Sequence, residues 1–273
     1  MTVPIITLSD GVQIPQLGFG TFKIPQEDAE RAVSEALRIG YRHIDTAAIY
    51  GNEVGVGAAI AASGLRRNEI FLTTKLWNDM HHYATARVAV ETSLEKLGLD
   101  HIDLYLIHWP ATLKYGDSYL EAWDALQEFK AEGLTRSIGV SNFNVAHLDA
   151  ISGEIPSVNQ VEIHPSLTQN ELRAELANRS IVCEAWSPLG RGSDLSEPTI
   201  VRIAAELGRT PAQITIRWHL QLGNIVIPKS LTPARIAENL DVFNFELTTE
   251  QLDAITALDR DARTGSNPAL ADF

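Results

Sequence analysis

A chain of 273 residues that is 45% hydrophobic and 21% charged has the composition of a folded globular protein and length for a sizeable core, which excludes disorder. Its net charge of −13 argues against a general binder of nucleic acid or anionic membrane, because phosphate contacts need clustered Lys and Arg; a local basic pocket is not excluded. The single cysteine, Cys183, rules out an internal disulfide, and in the apolar run Ile181-Val182-Cys183 it reads as a small buried hydrophobe in a reducing compartment.

The N-terminal stretch has neither a basic region nor a long apolar one, and no later run approaches membrane-spanning length, so a cytoplasmic protein used as translated is expected. Residues 5–8 and 12–15 flank Ser9-Asp10-Gly11, a hairpin signal, and this hairpin is expected to close one end of whatever follows. Short apolar runs at 17–20, 42–45, 70–74, 102–107, 137–140, 157–161, 181–185 and 225–227 read as buried strands. Helical patterns separate them. Ala29, Val33, Ala36 and Leu37 share one face before Gly40, and Tyr119, Ala122, Trp123, Leu126 and Phe129 share another before Gly133. Thr210-Pro211-Ala212-Gln213 and Thr248-Thr249-Glu250-Gln251 both have capping-box spacing. Eight strands alternating with helices, with no Pro/Ser-rich linker, fit one α/β domain over residues 1–273: a (β/α)8 TIM barrel with the N-terminal β-hairpin closing its bottom.

Polar residues stand at or just past the C-terminal end of nearly every strand: Asp45, Lys75, His108, Ser141 with Asn142, Gln160, Trp186 and Lys229. A barrel collects those ends on one face, where its active site is built. Asp45 taken alone reads more readily as a helix cap, with Tyr50 packed beneath the helix; the company it keeps reverses this in favour of chemistry. A tyrosine has an unperturbed pKa of about 10. An ammonium about 4 Å away is worth roughly 4 kcal/mol at an effective dielectric of 20, so Lys75 is expected to lower the pKa of Tyr50. Asp45 would keep Lys75 charged in a closed pocket, and His108 would orient a substrate oxygen. Together they make a site that protonates an oxygen on which negative charge develops.

These residues lie in four stretches, Gly40 to Ala47 leading to Tyr50-Gly51-Asn52-Glu53, Leu104 to Pro110, Gly139 to Phe143 and Ile227 to Ser230, that in this order resemble the aldo-keto reductase family. Within it the chain is most similar to the bacterial reductases related to 2,5-diketo-D-gluconate reductase. The resemblance runs almost end to end and implies a catalytic tetrad of Asp45, Tyr50, Lys75 and His108. It implies hydride transfer from a reduced nicotinamide cofactor to a carbonyl carbon, with Tyr50 supplying the proton, and a monomer. The chain has no Gly-x-Gly-x-x-Gly fingerprint after a strand, so a Rossmann module is not expected.

The resemblance also implies that Ser141, Asn142 and Gln160 hold the carboxamide and that Trp186, where many members have tyrosine, lies on the nicotinamide face. The Gly-containing loop Ser187-Pro188-Leu189-Gly190-Arg191-Gly192 suits close approach to a pyrophosphate. Lys229, Ser230, Thr232 and Arg235 surround a helix start that Thr232 would cap, with Glu238 and Asn239 one turn on. Lys229 and Arg235 suit the extra phosphate of NADPH, which is expected to be preferred over NADH. Substrate is expected over Phe22, Ile49, Trp77 and Trp109, with Asn52 nearby, while Trp123 and Trp218 read as core. The tail from Thr264 to Phe273 is shorter than in relatives whose C-terminal loop closes over the site.

His43 reads as a satisfied interior histidine, His81 and His82 as solvent-facing, His164 as structural, and Glu53 as the first turn of a helix; no metal site is expected. Two rivals remain open: a lyase using Lys75 in a Schiff base, and a binding module that uses the cofactor pocket as a sensor.

Overall fold

The Asp-Gly turn works as the sequence suggests. Ile5–Thr7 (β1) pairs antiparallel with Gln13–Pro15 (β2), and Gly11 takes the left-handed turn position at φ 86°. Leu8 and Ile14 pack with Phe71, Leu104, Leu106, Val158 and Ile225, so the hairpin plugs the barrel interior from the bottom. The computed structural model describes residues 3–273.

Eight parallel strands follow one another in chain order: Phe19–Gly20 (β3), His43–Asp45 (β4), Phe71–Leu76 (β5), Ile102–Ile107 (β6), Thr135–Ser141 (β7), Val158–Glu162 (β8), Val182–Trp186 (β9) and Ile225–Val226 (β10). A parallel bridge between Leu17 and Val226 joins the ends of this sheet, with Gly18 N donating to Val226 O at 2.9 Å and Gly20 N to Pro228 O at 3.1 Å. The sheet is therefore a (β/α)8 barrel. Gly18 has to be small: a Cβ there would meet Nδ1 of His43 at 2.5 Å.

The helices form where the apolar spacing puts them. Gln26–Ile39 (α1) buries Ala29, Ala32, Val33, Ala36 and Leu37 and ends at Gly40, whose φ of 126° suits glycine. The helix Ser118–Ala131 buries the expected face, Tyr119, Ala122, Trp123, Leu126 and Phe129. Both capping boxes, Thr210 with Gln213 and Thr248 with Gln251, are formed. Trp123 and Trp218 are core residues.

Strand ends differ from the sequence reading in one informative way. The apolar run ends at Thr74, but β5 continues through Lys75, whose register partner is Leu106. Ladder pairing carries a strand past the residue at which apolar patterning stops, so Lys75 is held by the sheet rather than by a loop.

Candidate active site

The C-terminal strand ends bring the expected polar residues together. Lys75 is 0% exposed, and its Nζ donates to Asp45 Oδ1 at 2.8 Å, Asp45 Oδ2 at 2.7 Å and Thr46 O at 2.8 Å. Burial works against the ammonium, but Asp45, with Tyr50 and Glu184 adding to it, raises the Lys75 pKa. Asp45 does not cap a helix. The next helix, Glu53–Ala62 (α2), has Asn52 at its N-cap, and Asp45 instead accepts from Lys75 and from Gln160 Nε2 at 2.8 Å.

Tyr50 ends the short turn Ala48–Tyr50, where its ring lies 5.2 Å from Lys75 Nζ, 5.1 Å from the Phe22 ring and 5.7 Å from the His108 ring. Its pKa corrects the sequence expectation. Burial raises it to about 12, and the pull of Lys75, itself countered by Asp45, does not overcome that rise. The phenol is therefore firmly protonated at neutral pH, and the Lys75 effect calculated from an isolated pair is cancelled by desolvation and by the partner of the lysine.

Burial, with the Lys75 charge adding to it, holds the His108 pKa well below the usual imidazole value, so the ring is neutral. Its Nδ1 is buried without a partner among the described residues, while His108 lines the cleft. A proton on Nδ1 would orphan a donor, whereas an unpaired lone pair there costs less, so the favoured tautomer carries the proton on Nε2. Trp77 stands edge-on to His108 at 5.1 Å.

From this cluster a cleft of about 1010 Å³ runs outward over β8, β9 and β10. Gln160, Ser141 and Asn142 line it near Asp45. Ser141 Oγ donates to Gln160 O at 2.7 Å; Asn142 Nδ2 donates to His108 O at 2.9 Å; and Trp186 Nε1 donates to Asn142 Oδ1 at 2.9 Å, which fixes the indole against the cleft. Asn142 adopts φ 64°, a conformation asparagine tolerates better than most residues. At the far end stand Lys229, Ser230, Arg235, Glu238 and Asn239, beside the helix Pro233–Leu240. Lys229 and Arg235 are exposed and form no ion pair among the described residues. Two unpaired cations at a helix N-terminus in an acidic protein make a ready anion site. A flat indole, amide groups on the inner wall and this cationic end together fit a nicotinamide dinucleotide that carries an extra phosphate.

Several expected contacts are corrected. Thr232 makes no side-chain cap and lies outside the cleft; Ser230 Oγ instead accepts from Thr232 N at 3.1 Å. Ser187 and Leu189 line the cleft, but Gly190 packs on Asp194, whose carboxyl carbon a Cβ would meet at 2.8 Å, so glycine there serves the loop's interior. Asn52 is sealed by hydrogen bonds to Thr21 O, Ile24 O and Thr46 Oγ1, away from substrate. His81 is buried rather than solvent-facing, packed against Tyr115 and Ser118, and Cys183 is only partly buried.

Phe22, Ile49, Trp77 and Trp109 line the mouth as expected. Phe273 was not anticipated there. It completes the aromatic wall, with Gly265 and Ser266 of the same tail also lining the cleft. The tail is anchored by Glu162, whose Oε1 accepts from Thr264 N at 2.7 Å and Gly265 N at 3.0 Å. A terminal aromatic after a polar segment gives no periodic signal, so nothing short of the folded chain places it.

The sequence model described as the aldo/keto reductase family matches residues 16–260. A protein of Yersinia pestis called methylglyoxal reductase DkgA is 51% identical over 272 residues, covering 98% of this chain and 97% of the relative. Among solved structures, an aldo/keto reductase from Brucella melitensis is 54% identical with a TM-score of 0.92, covering 95% of this chain and 99% of the other. A Gox0644 mutant in complex with NADPH is 45% identical with a TM-score of 0.96, covering 100% of both chains.

Proposed function

The chain belongs to the aldo/keto reductase family, and from that premise we propose that it reduces small aldehydes, ketones and diketones to alcohols with NADPH, Tyr50 acting as the general acid. The observation that carries this reading is the convergence of Tyr50, the Lys75–Asp45 pair and His108 at the inner end of a cleft whose outer end holds the unpaired Lys229 and Arg235. NADPH supplies the hydride; NADH is the weaker alternative because it leaves Lys229 and Arg235 without a phosphate.

The roles follow from what the side chains can do. His108, neutral with its Nε2 proton toward the cleft, donates to the carbonyl oxygen and places it beside Tyr50. As hydride reaches the carbon, the oxygen becomes far more basic than a phenolate, so a phenol whose pKa is about 12 gives up its proton favourably. Lys75, held charged by Asp45, stabilises the phenolate left behind. The Yersinia pestis relative called a methylglyoxal reductase supports α-oxoaldehydes as one substrate type; 2,5-diketo-D-gluconate and other keto-sugars belong to the same proposed range. We place this activity in a cytoplasmic monomer that works as one barrel unit.

The Schiff-base rival is disfavoured because an ammonium donating three hydrogen bonds to oxygen has no lone pair with which to attack a carbonyl. The test of the proposal is carbonyl-dependent loss of the nicotinamide absorbance of NADPH over a panel of aldehydes, α-diketones and keto-sugars. NADPH binding with no consumption across the panel would overturn it in favour of the sensor reading.

A further inference from the structure

The barrel interior holds a second carboxyl group beside Asp45 that the proposed chemistry leaves unused. Glu184, in the middle of β9, is 0% exposed. Gln160 Nε2 donates both to Asp45 Oδ2 at 2.8 Å and to Glu184 Oε2 at 2.9 Å. An amide nitrogen carries two N–H groups, so both are used, and the amide oxygen is left for the cleft that Gln160 lines. The reverse orientation would set that oxygen against the Asp45 carboxylate.

The second oxygen of Glu184, Oε1, has no hydrogen-bond partner among the described residues and lies 3.6 Å from His43 Nε2. His43 Nδ1 is 3.3 Å from the carbonyl of Pro15, which can only accept, so Nδ1 carries the proton and Nε2 offers a lone pair. Thr73 Oγ1 faces the same nitrogen at 3.2 Å. Two lone pairs facing each other repel, whereas a carboxylic acid proton between Oε1 and Nε2 is attracted to both.

We infer that Glu184 is a neutral carboxylic acid with its proton on Oε1 toward His43, and that it is a positioning residue which, with Asp45, turns the amide oxygen of Gln160 toward the carboxamide of the nicotinamide. The positioning role rests on the cofactor reading above; the protonation does not.

The surroundings agree with this state. Burial raises the Glu184 pKa to about 8, with Asp45 adding to the rise and Gln160 and Lys75 opposing it. Burial also lowers His43 to about 3, keeping it neutral. The other titratable groups nearby are Tyr50 and the Cys183 thiol, each raised by burial to about 12; β10 brings only Ile225 opposite Glu184. Among the described residues no cation but Lys75 faces Glu184, and Lys75 is engaged by Asp45.

The test compares Glu184→Gln and Glu184→Leu with the wild type. Glutamine can still accept from Gln160 and donate to His43 but cannot ionise; leucine can do neither. A raised folded-state pKa means that the stability tied to the Glu184 proton is fully present below the unfolded value of 4.5 and is lost as pH rises through about 8. The melting temperature of Glu184→Gln should therefore gain on that of the wild type across this window. A difference that does not change with pH overturns the neutral acid. The NADPH dissociation constant, read by quenching of tryptophan fluorescence at neutral pH, should stay near wild type in Glu184→Gln. It should rise about tenfold in Glu184→Leu, the loss of roughly one hydrogen bond to a polar group. Equal affinity in the two variants overturns the positioning role. A wild type that binds NADPH but reduces no carbonyl would fail the functional proposal alone, and both measurements here would still decide this one.

Discussion

The ring of Phe273 lies nearly parallel to the indole of Trp77, with 6.0 Å between centroids and 6° between planes, and it meets Trp109 edge-on at 5.2 Å. The tail thus adds a wall to a mouth whose other residues come from the loops after β3, β4, β5 and β6. Aromatic contacts of this kind contribute about 0.5–1.5 kcal/mol each beyond area burial. Phe273→Ala should raise KM for apolar and aromatic carbonyls by up to roughly tenfold while leaving the NADPH dissociation constant unchanged. Unchanged KM across the substrate panel would mean that the tail does not touch substrate.

Cofactor choice should reside in Lys229 and Arg235. Each free cation that pairs with the extra phosphate is worth about 1.5–3 kcal/mol as a charged hydrogen bond, so replacing either by alanine should weaken NADPH by about 10- to 100-fold. Affinity for NADH should change little. Measuring both cofactors with each variant distinguishes this from a general loss of binding, which would weaken both equally.

The fold was legible in the sequence because a barrel repeats its signal: eight apolar runs, each followed by a helical face and a stop. Where the repeat is interrupted, legibility fails for a physical reason. Lys75 is held by ladder pairing that patterning cannot see. Gly190 turned out to serve Asp194, because a glycine in a loop carries no sign of which side is crowded. Thr232 has the composition of a cap, yet its side chain takes no helix amide, and its own N–H donates to Ser230 Oγ. Glu184 carries no sequence signal, because a charged letter within a strand run says nothing about its protonation, which depends on Gln160, Asp45 and His43 from two other strands. Phe273 meets Trp77 across more than half the length of the chain.

The buried pair of Lys75 and Asp45 should also matter for stability. Removing one member leaves the other charge uncompensated, which costs about 3–5 kcal/mol in comparable pairs. Lys75→Met and Asp45→Asn should each lower the denaturant midpoint without changing the slope, and both should lose most turnover. Wild-type stability in either variant would show that water reaches the pair.

A second buried charge cluster ties the loop after β9 to the C-terminal tail. His164 is 0% exposed, with Nδ1 2.9 Å from Asp194 Oδ2 and Nε2 3.2 Å from Glu162 Oε1. Burial opposes its charge, but the two carboxylates raise its pKa, while hydrogen bonds from His164 and Ser166 overcome burial to hold Asp194 far below the usual carboxylate range. The His164 contribution to stability is fully present below the unfolded value of 6.5 and is lost as pH rises through the raised folded value. The Asp194 contribution is present above 3.8 and is lost as pH falls through its folded value. In His164→Asn the decline of stability on the alkaline side of 6.5 should be shallower than in the wild type by urea unfolding at several pH values. Parallel curves would show that His164 is neutral.

The most direct test of the account is Tyr50→Phe, followed by two readings on the same preparation: quenching of tryptophan fluorescence by NADPH, and carbonyl-dependent NADPH oxidation. Removing a general acid costs typically about 10²- to 10⁴-fold in rate. In this variant cofactor affinity should stay near wild type while turnover falls by at least that much. Turnover within a few-fold of wild type would contradict the assignment of Tyr50 as the proton donor and, with it, the central reading of the site.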